Sequence, residues 1–183
     1  MIVESVTTSI LVAFASKIGA ELADDVYDLV KGYFTNSMNI NPLESYYIVS
    51  KHSGKCLDVA GGSTKDGAKI IQWTCTDGYN QRWHLIPIDK YWIILAHHSN
   101  KCLDVAGFKF DNGVSIIQWS VRIGYNQLWE FIDVGNGYYQ IRARHSHKCL
   151  DVSGAKRNNG AKIIQWEYNG KDNQQWELIP AND

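Results

Sequence analysis

The sequence predicts an all-β domain made of three copies of one unit, preceded by an amphipathic α-helix. Three observations carry this. The pentapeptide KCLDV stands at residues 55–59, 101–105 and 148–152. Before each copy, buried-type residues recur at spacing two: Tyr46, Ile48 and Ser50, then Trp92, Ile94 and Ala96, then Tyr139, Ile141 and Ala143. That is the period of a short strand with one buried face. Over residues 1–35 the period is helical instead.

The helical arm comes first. Leu11, Ala15, Ile18, Leu22, Val26, Leu29 and Tyr33 recur at steps of 4, 3, 4, 4, 3 and 4, while Lys17, Glu21, Asp24, Asp28 and Lys31 line the other side. This is one apolar stripe on a polar cylinder. Thr7, Thr8 or Ser9 can cap its start and Gly32 can end it. Residues 36–44 are polar, rich in Asn and contain Pro42, which reads as a linker.

The repeats occupy residues 45–183, divided at about 45–89, 90–135 and 136–183. Aligned on Cys56, Cys102 and Cys149, they step by 46 and 47 residues. Each alternating strand runs into a His-Ser-x-Lys turn (His52, His98, His145) and then the Cys-Leu-Asp-Val strand. Two glycines six residues apart follow: Gly61 and Gly67, Gly107 and Gly113, Gly154 and Gly160. An IIQW segment stands at 70–73, 116–119 and 163–166, and Asn-Gln-x-Trp at 80–83, 126–129 and 173–176. From Asp to the first Trp is 15 residues in every copy, and from that Trp to the Asn is 7. Periods of this length mark repeat architectures. Three copies favour a closed threefold object over an open solenoid, which needs atypical capping repeats.

Composition narrows the function. A net charge of −1 offers no surplus of Lys and Arg to neutralise phosphates, so nucleic acid is not expected as a partner. Seven Trp and ten Tyr stand against five Phe, an excess of side chains with a flat apolar face and a polar edge. The N-terminus has Glu4 where a secretory leader needs positive charge, and its apolar run from Ile10 to Ala15 is far short of the ~20 residues that span a bilayer. A chain that is cytoplasmic, or released without a conventional signal peptide, is expected.

Three repeats of this length, each with Cys-Leu-Asp-Val, a glycine-bearing loop, Gln-Trp and a closing Gln-x-Trp, resemble the ricin B-type lectin domains. The resemblance covers about residues 44–183 and implies a β-trefoil with four short strands per repeat. It also implies site roles. Asp58, Asp104 and Asp151 match the aspartate that accepts hydrogen bonds from two neighbouring sugar hydroxyls. Trp73, Trp119 and Trp166 match the aromatic on which the sugar stacks. Asn80, Asn126 and Asn173 match the asparagine that contacts a hydroxyl from the far side. Gln81, Gln127 and Gln174 support the site, and Trp83, Trp129 and Trp176 belong to the shared core. One feature departs from many relatives, which carry Gln two residues before the aromatic. Here Ile71, Ile117 and Ile164 stand there, with Gln72, Gln118 and Gln165 adjacent. Strand alternation turns these glutamines away from the sugar face.

The chemistry agrees with these roles. A neutral hexose offers hydroxyls and one patch of C–H surface. A carboxylate accepts two hydroxyl protons in charge-assisted bonds, an Asn supplies a donor and an acceptor, and a half-exposed Trp supplies a plate. Each residue also has a plainer role: Asp as a turn cap, Trp as core filler, Gly as a positive-φ device. Constant offsets in three copies favour the binding role for Asp and the first Trp, and core packing for the second Trp.

Of the four cysteines, only Cys56 has a candidate partner, Cys75; secreted members of the resembled family commonly bridge this pair. Ser120-Val121 and Glu167-Tyr168 fill the corresponding places elsewhere, so Cys102 and Cys149 read as buried free thiols. Two unpaired thiols favour a reducing compartment, with the single bridge left open. His52, His98 and His145 read as solvated turn residues, and His84, His97 and His147 show no metal-ligand spacing. No metal or cofactor is expected. Glycoside hydrolysis normally needs two carboxylates about one bond. Asp66 aligns with Asn112 and Asn159, so the repeats share only one acid and no enzyme is expected.

The expected function is a multivalent lectin for glycans, galactose-type sugars favoured, with the helix mediating self-association into a homo-oligomer. The helix carries −3 net charge, whereas interfacial helices favour Lys and Arg. Membrane action as a toxin-like effector is therefore the alternative, together with a protein-binding or inhibitory trefoil that takes no sugar.

Overall fold

In a computed structural model of the chain, residues 40–42 and 44–181 are described. The helical arm expected over 1–35 lies outside the described residues, as do linker residues 36–39 and 43. The linker's end is tied to the domain. Ile40 is buried in the main core, and the Asn41 amide donates to the Tyr46 hydroxyl at 2.8 Å.

Twelve strands form the described fold: β1 (Ser45–Ser50), β2 (Cys56–Val59), β3 (Ile70–Trp73), β4 (Arg82–Ile88), β5 (Tyr91–Ala96), β6 (Cys102–Val105), β7 (Ile116–Trp119), β8 (Trp129–Asp133), β9 (Tyr138–Ala143), β10 (Cys149–Val152), β11 (Ile163–Trp166) and β12 (Trp176–Ala181). Antiparallel pairing runs β12–β1–β4–β5–β8–β9 and returns to β12, a closed barrel with no free edge. Three hairpins, β2–β3, β6–β7 and β10–β11, close one end of it. This is a β-trefoil.

Period-two patterning decides which side chains fill the barrel. Leu57 and Val59, with their counterparts Leu103, Val105, Leu150 and Val152, are fully buried in one cluster with Trp83, Trp129 and Trp176. Each of those indoles reaches back 26 residues. Nε1 of Trp83, Trp129 and Trp176 donates to the carbonyls of Leu57, Leu103 and Leu150 at 3.1, 3.0 and 3.0 Å. That bond satisfies the one polar atom of a buried Trp. It also fixes the backbone immediately before each KCLDV aspartate.

The β4–β5 hairpin differs from the one-faced strands expected. Its outer residues Ile86, Ile88, Ile93 and Leu95 join Cys102 and Leu128 in a second apolar cluster. The equivalent hairpin β8–β9 carries an ion pair outside instead, Arg142 Nη2 to Glu130 Oε2 at 2.6 Å. Burial on both faces explains why β4 and β5 read as nearly continuous apolar runs.

The capping hairpins are laced into a ring. Gln72, Gln118 and Gln165, whose side chains are fully buried, face away from the outer surface, as alternation requires. Each Nε2 donates twice into the loop of another repeat: Gln72 to the carbonyls of Lys156 and Asn158, Gln118 to Ser63 and Lys65, Gln165 to Lys109 and Asp111, all within 2.7–3.0 Å. The turn histidines, expected to be solvated, serve the same purpose. Nε2 of His52, His98 and His145 donates to the carbonyls of Ala155, Ser63 and Lys109 at 2.6, 2.9 and 3.0 Å.

Cys56 and Cys75 form a disulfide, the alternative that the sequence left open. Cys102 and Cys149 are buried free thiols. Burial pushes the Cys149 thiol up to about 11, despite the Gln140 amide that donates to its sulfur.

Candidate functional site

Each capping hairpin presents one outer face. In β2–β3, Cys56 pairs with Trp73 and Asp58 with Ile71, so alternation puts Asp58, Ile71 and Trp73 on the same side. The same register holds for Asp104, Ile117 and Trp119, and for Asp151, Ile164 and Trp166. Above each face opens a cavity of about 430, 360 and 400 Å³ respectively. Those volumes lie in the range of small-ligand clefts.

The aspartates are only 4–5% exposed, and half of each carboxylate is committed. Asp58 Oδ2 accepts from Gln81 Nε2 at 2.8 Å and Asn80 Nδ2 at 3.0 Å; Asp151 Oδ2 accepts from Gln174 and Asn173 at the same distances. Asp104 Oδ2 accepts from Gln127 at 2.9 Å. Oδ1 of each has no hydrogen-bonding partner among the described residues, and all three aspartates line their cavities. Burial pushes the Asp104 and Asp151 carboxyls up to about 6, against the lowering pull of the glutamine and asparagine amides. Asp58 is raised for the same reason.

The glutamines act through the acids. Gln81 Oε1 accepts the Thr76 amide while Nε2 also donates to the Thr74 carbonyl, which spends both ends of a buried side chain. Gln127 and Gln174 repeat this with the Arg122 amide and Ser120 carbonyl, and with the Asn169 amide and Glu167 carbonyl. The asparagines are half-committed. Nδ2 of Asn80, Asn126 and Asn173 donates to the carbonyls of Val59, Val105 and Val152, which ties each asparagine to the strand that carries its aspartate. Asn173 Oδ1 is buried without a partner.

The first tryptophans are not core. Trp73 and Trp166 are 42% and 41% exposed, Trp119 is half-buried, and all three line the cavities. Each plate is backed by a loop from another repeat. A Cβ on Gly67, Gly113 or Gly160 would lie 3.7, 3.7 or 3.9 Å from a ring carbon of Trp119, Trp166 or Trp73. Their φ angles of +82°, +85° and +81° are what reserve these positions for glycine. Sequence reasoning saw these glycines as turn devices and missed that each turn supports another repeat's site. It also missed Phe108 and Arg122, which line the second cavity alone. The signal was there to find, since Gly62 and Ala155 align with Phe108, and Thr76 and Asn169 with Arg122.

Comparison with known proteins agrees with this architecture. The profile of the ricin-type beta-trefoil lectin domain matches residues 44–176. The designed threefold-symmetric protein ThreeFoil is 47% identical with a TM-score of 0.73, over 74% of this chain and 97% of that one. An exo-beta-1,3-galactanase from Clostridium thermocellum is 39% identical with a TM-score of 0.75, over 79% of this chain and 32% of the enzyme. A curated protein of Salmonella typhimurium, "Probable lipoprotein EnvE", is 59% identical over 29 residues, which are 16% of this chain and 17% of that protein. The repeat lengths, the closed barrel with its hairpin cap and the match across residues 44–176 establish that the chain belongs to the ricin-type β-trefoil lectin family.

Proposed function

We propose that the chain is a carbohydrate-binding lectin with up to three shallow sites for galactose-type sugars, and that residues 1–35 bring copies together. One observation carries the reading. At each of three related positions a buried carboxylate keeps one oxygen free beside an indole that is exposed or half-buried and an asparagine. A pyranose supplies what that set lacks: two adjacent hydroxyl donors and a C–H face. The galactose preference draws support from the galactanase, whose name describes an enzyme acting on a galactose polymer. The repeats share a single acid, which favours binding without hydrolysis. No nucleic acid, metal or cofactor enters this function.

A glycan array probed with the whole chain tests the reading, with signal expected on galactose-terminated structures. A chain that captures no glycan at all ends the lectin proposal. Single shallow sites bind weakly, and linking them raises avidity by about 10²–10⁴ without new contacts. Light scattering should accordingly give a multimer for the whole chain and a monomer for residues 40–183, a boundary that keeps the buried Ile40. Equal, monomeric masses for both would remove the self-association role.

A further inference from the structure

The three sites are not equal, and the second carries an aromatic wall that the others lack. Phe108 lines the cavity of Asp104 and Trp119. Phe110, two residues on, lies edge-on to it at 5.9 Å, and both rings pack against His145 at 4.9 and 5.1 Å. His145 is itself held to the Lys109 carbonyl between them. The two phenylalanines are nevertheless 45% and 55% exposed. The aligned residues are Gly62 and Thr64 in the first loop, and Ala155 and Arg157 in the third.

The backbone makes this more than a loose loop residue. Phe108 sits at φ +57°, in the left-handed region that Gly62 occupies at +60° and Ala155 at +49°. A bulky side chain there is a conformational outlier and stores strain. Both costs, strained backbone and wetted aromatic surface, fall on a loop position that lines a binding cavity. Neither contributes to the core, since neither ring belongs to an apolar cluster. Aromatic faces exposed next to a sugar plate suit the C–H face of another sugar ring.

Resting on the lectin reading above, we propose that the second site binds a disaccharide or longer chain. The terminal ring stacks on Trp119 against Asp104, and the next ring packs on Phe108, with Phe110 as its outer edge. The first and third sites take a terminal ring alone.

Nitrogen-15 NMR of the indole N–H signals reads the sites separately, with Trp73, Trp119 and Trp166 assigned by single Trp→Phe variants of the whole chain. The probes are galactose and β-1,3-linked galactobiose. Trp119 should titrate with the disaccharide about five- to tenfold more tightly than with galactose, while Trp73 and Trp166 show a ratio near one. Phe108→Gly places the first loop's own residue at this position, where glycine suits the backbone. It should bring the Trp119 ratio down to that of the other two, and Phe110→Thr should lower it in part. Equal ratios at all three indoles in the unaltered protein, or a Phe108→Gly variant that keeps the gain, would overturn the proposal while leaving the lectin reading intact. If no indole responds to either probe, the galactose reading and this proposal fall together.

Discussion

Replacing Asp58, Asp104 and Asp151 with asparagine is expected to abolish glycan binding and leave the fold at least as stable. In each site Oδ2 accepts an amide proton from Gln81, Gln127 or Gln174. An asparagine carbonyl can take that place, and its amide then stands where the free oxygen faced the cavity. The loss is two charge-assisted bonds to sugar hydroxyls, each worth about 1.5–3 kcal/mol, so affinity per site should fall at least on the order of 10²-fold. Stability follows from the sign of the pKa shifts. Asp104 and Asp151 titrate near 6 in the fold, above the 3.8 of an unperturbed carboxyl. The folded state thus holds protons that the unfolded chain has released. Their contribution to stability is full below pH 4 and is lost as pH rises through 6. Asparagine does not ionise, so denaturant melts of the variant should lack this decline. Sugar affinity runs the other way, because only the ionised acid accepts both hydroxyls. It should climb between pH 4 and 6, level off above, and be about tenfold weaker one unit below the midpoint. Calorimetry from pH 4.5 to 8 measures this. A triple variant that still binds, or an affinity flat across that range, would sink the site assignment.

These expectations rest on residues already conspicuous in the sequence, because local offsets encode what a two-stranded hairpin brings together. Fifteen residues from Asp58 to Trp73 is one hairpin, and its register makes them neighbours on one face. The same alternation turns Gln72 inward, where its side chain is fully buried. Contacts between repeats were illegible, since no spacing within one unit describes them. His52 looked like a solvated turn residue, yet it holds Ala155, 103 residues away. Gly160 looked like a turn device, yet it backs Trp73. The outer apolar cluster around Ile86 and Leu95 was hidden for another reason. Period two assigns one face to the core and cannot say that the other face is covered as well. Cys75 sits at the right distance from Cys56, but spacing alone left the oxidation state open.

Gln118→Leu is expected to destabilise the domain by about 3 kcal/mol and to weaken the second site, though Gln118 lines none of the three cavities. Its side chain is fully buried and makes three hydrogen bonds: Oε1 accepts from the Ser99 hydroxyl at 2.8 Å, and Nε2 donates to the carbonyls of Ser63 and Lys65. Leucine nearly matches the shape but strands those partners, at about 1–3 kcal/mol for each buried group left unmade. The cost stays at the low end because Ser63 O keeps the bond from His98. For a domain stable by about 5–15 kcal/mol this is a large fraction. The binding effect follows from geometry. Gln118 holds residues 63–65, and two residues further along that loop Gly67 backs the Trp119 plate. A loop released from Gln118 gives the plate less support, so sugar affinity read at Trp119 should drop while Trp166, backed by Gly113 and with a cavity that this loop does not line, keeps its own. Urea midpoints measure the first effect and indole titrations the second. A Leu variant within 1 kcal/mol of the parent would show that these glutamines fill space without lacing the cap. Loss of response at Trp166 to the same degree as at Trp119 would show that the three sites fail together, and that the loops do not support them one by one.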